Sequence, residues 1–357
     1  MPASSVRDII IKDDDLAAGT HGRGFWILDN ITPLRQIDSS FNTDASFLFK
    51  PQVAMRVRWD MNTDTPLPPD FPAGDNPPEG AMIDYYLPSG VAGPVTLEIR
   101  DAGGKSVRRY SSADPVGPID PMLAIPRYWV RPPQALPGAP GMHRFLWDMH
   151  YPPVPGIDAE YPIAAVPHNT APQATSPWAI PGSYTAVLTA NGKSYSQPLT
   201  VKMDPRVKAT STALAGQFQL SMKLYQTALM VTPAAAQSAD LQKQVKELLK
   251  TAQGDVLAAA KALDQKLEAA AGRATRRPGV VSETLTLGAA QTRVMTLLGI
   301  LQEVDAAPTT QATAAAAELE KAIAPLMQRW EAIRTQDVPA LNDQLRKAGL
   351  PELKVGK

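Results

Sequence analysis

Proline draws the first boundary on this fold. Of 35 prolines, 28 lie in residues 1–204 and 7 in residues 205–357. Proline fixes φ and donates no main-chain hydrogen bond, so helix interiors and central strands exclude it. A stretch so punctuated holds short strands joined by proline-rich loops. The remainder is rich in Ala, Leu, Gln, Lys and Glu, all good helix formers. The change falls near Asp204-Pro205, where proline biases the preceding residue away from helix.

Composition narrows the class. The 35 Lys+Arg balance 35 Asp+Glu, which argues against a nucleic-acid binder or a polybasic membrane protein. The absence of cysteine excludes disulfides, thiol catalysis and cysteinyl zinc or iron–sulfur sites. At 44% hydrophobic residues with six Trp, the chain is too apolar to be disordered. No apolar run reaches the roughly 18 residues of a membrane-spanning helix. Met1 to Asp8 lacks a positive region followed by an apolar one, so no signal peptide is expected there.

The expected fold is multidomain α+β in three parts. Residues 1–45 read as strands at Val6 to Ile11, Asp15 to Gly19 and Gly24 to Leu28, the last two flanking a turn at Thr20-His-Gly-Arg. Thr32-Pro33 carries a helix-start signature, with Thr as N-cap. Residues 46–204 read as an immunoglobulin- or fibronectin-like β-sandwich with a polyproline-type loop over 60–80. Its clearest hairpin turns at Asn191-Gly192, a pair suited to the positive φ of a type I′ turn. Residues 205–357 read as an antiparallel bundle of about four helices. The first stops at Pro233; the second carries a stripe from Leu241 to Leu267; the third spans Val294 to Val304. In the fourth, Leu319, Ile323, Leu326, Trp330 and Ile333 repeat in an a/d pattern, with Pro325 kinking it. Asp337 is the expected cap of a last short helix.

Candidate chemistry is sparse. The segment Gly19-Thr-His-Gly-Arg-Gly24 presents His21 and Arg23, with Trp26 close behind, as possible binders of an anion or sugar. The competing reading is a tight turn whose glycines serve only backbone geometry. Three consecutive acids, Asp13 to Asp15, lack the spaced ligands of a calcium loop. His143 and His150 face opposite sides of one strand and make poor joint ligands, and His168 lies in a proline-rich loop. No metal site or cofactor is expected. Arg144 and Asp148 share a strand face and are candidates to pair. Asp29, Asp60, Asp84 and Asp148 are available as acids, with nothing in the sequence placing two together. The cluster Arg273, Arg276 and Arg277 reads as a solvated loop.

Five segments together resemble the C-terminal part of bacterial sortilin-like, or BNR-repeat, β-propeller "glycosyl hydrolase" proteins. They are Asp15 to Asp29, Ile31 to Gln36, Asn62 to Pro69, Gly141 to Asp148, and Pro181 to Leu188 through Val201 to Pro205. The resemblance implies that residues 1–30 are closing strands of a propeller, followed by a β-sandwich and a helical tail. It also implies an extracellular or periplasmic protein. The family's Asp-box, Ser-x-Asp-x-Gly-x-x-Trp, does not occur. A propeller needs about four to eight four-stranded blades, so most of the propeller is missing and no catalytic residue is carried over. The expected function is a non-catalytic module of a larger secreted protein, binding a glycan or protein. The alternatives are a glycoside hydrolase fragment, or a structural module self-associating through the Leu319–Ile333 stripe. Residues 1–30 are further expected to leave an unpaired edge.

Overall fold

A computed structural model describes residues 3–39, 41–58, 74, 77–158, 160–162, 166, 168–271 and 285–356. Trp59, Asp60, most of the 60–80 loop, the resembling segment Asn62 to Pro69 and the arginines at 273, 276 and 277 lie outside these residues.

The protein is a mixed α+β chain with several sheets and a C-terminal helical region. The strands are β1 (Val6–Lys12), β2 (Asp15–Thr20), β3 (Phe25–Leu28), β4 (Phe47–Leu48), β5 (Ala54–Arg56), β6 (Ala81–Leu87), β7 (Thr96–Asp101), β8 (Ser106–Ser111), β9 (Gly141–Trp147), β10 (Gly182–Ala190) and β11 (Lys193–Met203). The helices are α1 (Ser211–Leu248), α2 (Gly254–Ala271), α3 (Leu287–Gln302), α4 (Thr310–Ala332) and α5 (Val338–Lys347). None is long and apolar enough to cross a membrane among the described residues. The chain divides into two compact units. One comprises Met1–Pro152, Glu160–Gln173 and Trp178–Lys208; the other comprises Pro153–Ala159, Ala174–Pro177 and Ala209–Lys357.

Among the described residues the first unit holds three sheets: β1-β2-β3, β5-β11-β10-β7-β8 and β4-β6-β9. All ladders are antiparallel except β5 with β11. The hairpin β10–β11 closes at Ala190↔Lys193, with Asn191 and Gly192 at φ 51° and 71°, as the Asn-Gly pair predicts. The β5-β11-β10-β7-β8 and β4-β6-β9 sheets share one apolar core, built from residues such as Ile83, Tyr85 and Leu87 of β6, Leu97 and Ile99 of β7, Phe145 and Trp147 of β9, and Leu188 of β10. Thr32 does not cap a helix. Its hydroxyl donates to Asn30 Oδ1 at 2.6 Å, and only a 3₁₀ turn, Leu34–Gln36, follows.

In the second unit α1 packs against α2, α3 and α4. Thr210, Thr286 and Thr309 accept main-chain hydrogen bonds as N-caps of α1, α3 and α4. The helix expected to stop at Pro233 runs through it. Pro233 lies on the exposed side of the helix, while Val231, Thr232, Ala234 and Ala235 are buried beside it. The break falls later, between Leu248 and Gly254, where Gly254 adopts φ 56°, inside the stripe expected to be continuous. Asp337 stands at the N-cap position of α5, but its side chain makes no capping hydrogen bond. It ends a π-helical turn, Ile333–Asp337, that joins α4 to α5, and its carboxylate meets Lys266 at 2.7 Å. Val304 lies outside α3 and is exposed. The a/d stripe of α4 is buried as its spacing predicts, from Leu319 to Ile333.

Gly80, at φ 118°, enters β6 against β9; a Cβ there would lie 2.4 Å from the Trp147 carbonyl oxygen. Gly80→Ala is therefore expected to destabilise the first unit by roughly 2–4 kcal/mol, combining backbone strain with an unrelievable clash. Gly141→Ala, at φ 120° with open space around it, should cost less. Urea denaturation of the two variants measures the difference.

Candidate functional site

The hairpin that carries His21, Arg23 and Trp26 belongs to the β1–β3 sheet, and the whole sheet is unusual. Every residue of β1 and of β3 is exposed. Directly opposed residues in an antiparallel sheet share a face. The registers Ile9↔Ala18↔Trp26 and Ile11↔Leu16↔Leu28 put Ile9, Ile11, Trp26 and Leu28 on one face. The registers Ile10↔Ala17↔Ile27 and Gly19↔Phe25 put Ile10, Ile27 and Phe25 on the other. Phe25 is 85% and Ile27 65% exposed. Sheets in water ordinarily bury one face and hydrate the other; this one offers apolar side chains on both.

The turn itself is held by main chain. Thr20 donates through N–H and Oγ1 to the Gly24 carbonyl at 3.1 and 2.7 Å, and His21 N–H donates to Ser5 O at 2.9 Å. Gly22 and Gly24 take φ 75° and 68°, which only glycine adopts freely. Trp26 Nε1 donates to the Arg23 carbonyl at 3.0 Å, pinning the indole beneath the turn. Arg23 and Trp26 are thus brought together through Arg23's main chain. His21 joins the turn only through its backbone.

The acids at 13–15 are structural. Asp13 pairs with Lys12, Asp14 with Arg35, and Asp15 Oδ1 accepts from Asn30 N–H at 2.9 Å. Among the described residues no group of three or more His, Asp or Glu is placed to hold a metal ion.

Arg144 anchors the exit from this sheet. Its Nε and Nη2 donate to Asp84 at 2.8 and 3.3 Å, and its Nη1 and Nη2 donate to the carbonyls of Asp29 and Asn30 at 2.6 and 2.8 Å. Asp84 and Arg144 are directly opposed in the β6–β9 ladder. The expected partner, Asp148, lies beyond the end of β9 and accepts the His150 N–H instead, at 3.1 Å. Burial pushes the Asp84 carboxyl above its usual range, and the Arg144 hydrogen bond and charge pull it back. The signal for this pair was cross-strand register, which one strand read alone does not reveal. Arg144→Met should cost about 3–5 kcal/mol by stranding a buried carboxylate. Adding Asp84→Asn should restore part of the loss, and amide exchange in β1–β3 should accelerate in the single variant.

The histidines go to separate tasks. His143 Nε2 meets the Ala139 carbonyl, and His168 sits at φ 56° with its N–H on Tyr128 O. His150 is the buried one. Its Nδ1 donates to the Asp148 carbonyl at 2.8 Å, leaving Nε2 as a buried acceptor without a partner. Its ring meets Trp178 edge-on at 4.6 Å, and the guanidiniums of Arg56 and Arg58 lie 5.3 and 5.1 Å from the Trp178 centroid. Trp147 is fully buried in the core of the first unit.

Burial lowers the His150 pKa, against weaker opposing effects from the Asp148 charge and hydrogen bond. The unfolded chain therefore binds a proton that the folded chain refuses, between the depressed value and the ordinary 6.5. Stability from this group is whole above pH 6.5 and falls as pH drops through that window. His150→Gln should flatten this part of a melting-temperature profile between pH 7.5 and 5, and the His150 ring proton should titrate below the usual imidazole range by NMR.

No protein-family model, no curated protein and no solved structure matches this chain.

Proposed function

We propose that this chain is a non-catalytic interaction module, the accessory region of a secreted or periplasmic β-propeller protein, and that β1–β3 is its docking element. In this reading β1–β3 is part of a propeller blade, β4–β11 an immunoglobulin- or fibronectin-like sandwich, and α1–α5 an antiparallel bundle. The partner is a protein or a glycan. One observation carries the proposal: a three-stranded sheet with apolar side chains exposed on both faces. A sheet that stands between two apolar neighbours needs that pattern; a sheet that caps a single core does not. His21, Arg23 and Trp26 lie at its turn, where a polar contact would set orientation. The alternative of self-association through the helical tail is disfavoured because Leu319, Ile323, Leu326, Trp330 and Ile333 are buried within the chain. No observation favours the glycosidase alternative.

The test is binding of the folded chain to arrays of glycans and cell-envelope proteins, with Phe25→Lys/Ile27→Lys and Trp26→Ala alongside. The wild type is expected to bind, with at least about tenfold loss in the Lys variant for an apolar protein contact or in Trp26→Ala for a stacked sugar. A folded wild type that binds nothing, or binding unchanged in both variants, rejects the proposal.

A further inference from the structure

We infer that the outer edge of β1 pairs with the same edge of a second copy of this chain, in one antiparallel register with its two-fold axis through Ile10. The inference goes beyond the docking role proposed above and does not depend on what covers the faces of the sheet.

The first ground is the free edge. β1 ends its sheet, paired only with β2 among the described residues. The two-residue turn Asp13-Asp14 closes on the opposed pair Lys12↔Asp15, which places Lys12, Ile10 and Asp8 in hydrogen-bonded positions against β2. The main-chain groups of Ile9 and Ile11 then point outward. The contact at Ile9 agrees: its N–H donates at 2.9 Å to the carboxylate of its own neighbour, Asp8.

The second ground is charge. The edge reads Asp8-Ile-Ile-Ile-Lys12. With the axis through Ile10, Ile9 of one copy opposes Ile11 of the other, and the two exchange main-chain hydrogen bonds through their outward groups. Ile10 opposes Ile10. Asp8 opposes Lys12, twice, in non-hydrogen-bonded positions where side chains approach closest. Shifting the axis to Ile9 opposes Asp8 to Ile10 and wastes both charges; shifting it to Asp8 opposes two carboxylates. The charge pattern therefore selects one register. Asp8 and Lys12 blunt this edge against unrelated strands, as edge charges do, yet they complement a second copy. A bulge at Arg7 ends the regular ladder, which confines the pairing to Asp8–Lys12. Two local contacts must open, Asp8 on Ile9 N–H and the Lys12–Asp13 ion pair, whose side chains are both 81% exposed. An interface of this length falls below the standard size class, so the association is weak and concentration-dependent.

Sedimentation velocity of the full chain from about 5 to 500 µM, at low salt, tests this. The wild type should show a reversible monomer–dimer equilibrium that weakens with added salt. Asp8→Lys and Lys12→Asp should each raise the dimer dissociation constant by at least about tenfold, since each replaces two attractive pairs by repulsive ones. The double variant D8K/K12D should return it to near the wild-type value. Ile11→Pro removes an outward N–H that the single chain does not use, and should abolish the dimer while far-UV circular dichroism stays unchanged. A monomer throughout the range overturns the inference. So does a dimer indifferent to both charge reversals, or one that D8K/K12D fails to restore.

Discussion

Asp84 is 4% exposed in the middle of β6, and a carboxylate in that position is tolerable only if a cation and hydrogen-bond donors come with it. Arg144 supplies both, from directly across the ladder. Its remaining donors reach the carbonyls of Asp29 and Asn30, just past the end of β3. One guanidinium thus fixes the β6–β9 register and the point at which the exposed sheet leaves the core. A second set of bonds secures the same end of the sheet: Arg35 holds Asp14, and Ile31 N–H donates to the Asp14 carbonyl at 2.7 Å. Every residue of β1 and β3 is exposed, so these polar ties do much to hold the sheet's position in the first unit.

The strands were legible because their signals are local. Alternation marks β7 and β9, and Asn191-Gly192 marks the β10–β11 hairpin. The stripe of α4 was legible for the same reason. The errors fall where a local signal met a tertiary one. Proline at 233 is a strong local stop, yet burial of its neighbours outweighs one missing hydrogen bond on an exposed side. The apolar stripe from Leu241 to Leu267 stays in phase across the 249–253 break, so periodicity could not locate it. Asp337 has the right residue type for a cap, but the chain is already helical there and its carboxylate turns to Lys266.

The candidate site shows a different limit. The turn at His21–Gly24 follows from its glycines. Double-sided exposure does not follow from the residues, because the run Ile9-Ile10-Ile11 has the composition of a strand buried on both faces. Sequence reports how apolar a strand is, not whether the unit that holds it supplies the cover. Likewise Arg144's choice between Asp84 and Asp148 is a matter of cross-strand register, which depends on two segments at once.

The two units differ in how their apolar patterns are spent, and that difference directs where association can occur. In the helical unit the best-formed stripes are already satisfied: Leu326 and Leu345 have no exposed surface, and Trp330 is 3% exposed. A helix face can bind a partner only if its stripe is left uncovered, so regular heptad spacing in α4 records internal packing. In the first unit the core likewise consumes the alternation of β7 and β9, and nearly the whole of β6. Exposed apolar side chains gather on β1 and β3, next to an edge flanked by Asp8 and Lys12. The faces of that sheet supply attraction without direction. Its edge supplies direction, because hydrogen-bond parity and charge admit one pairing and penalise its neighbours. Specificity in this chain therefore resides in the five residues Asp8–Lys12 rather than in the larger apolar area beside them.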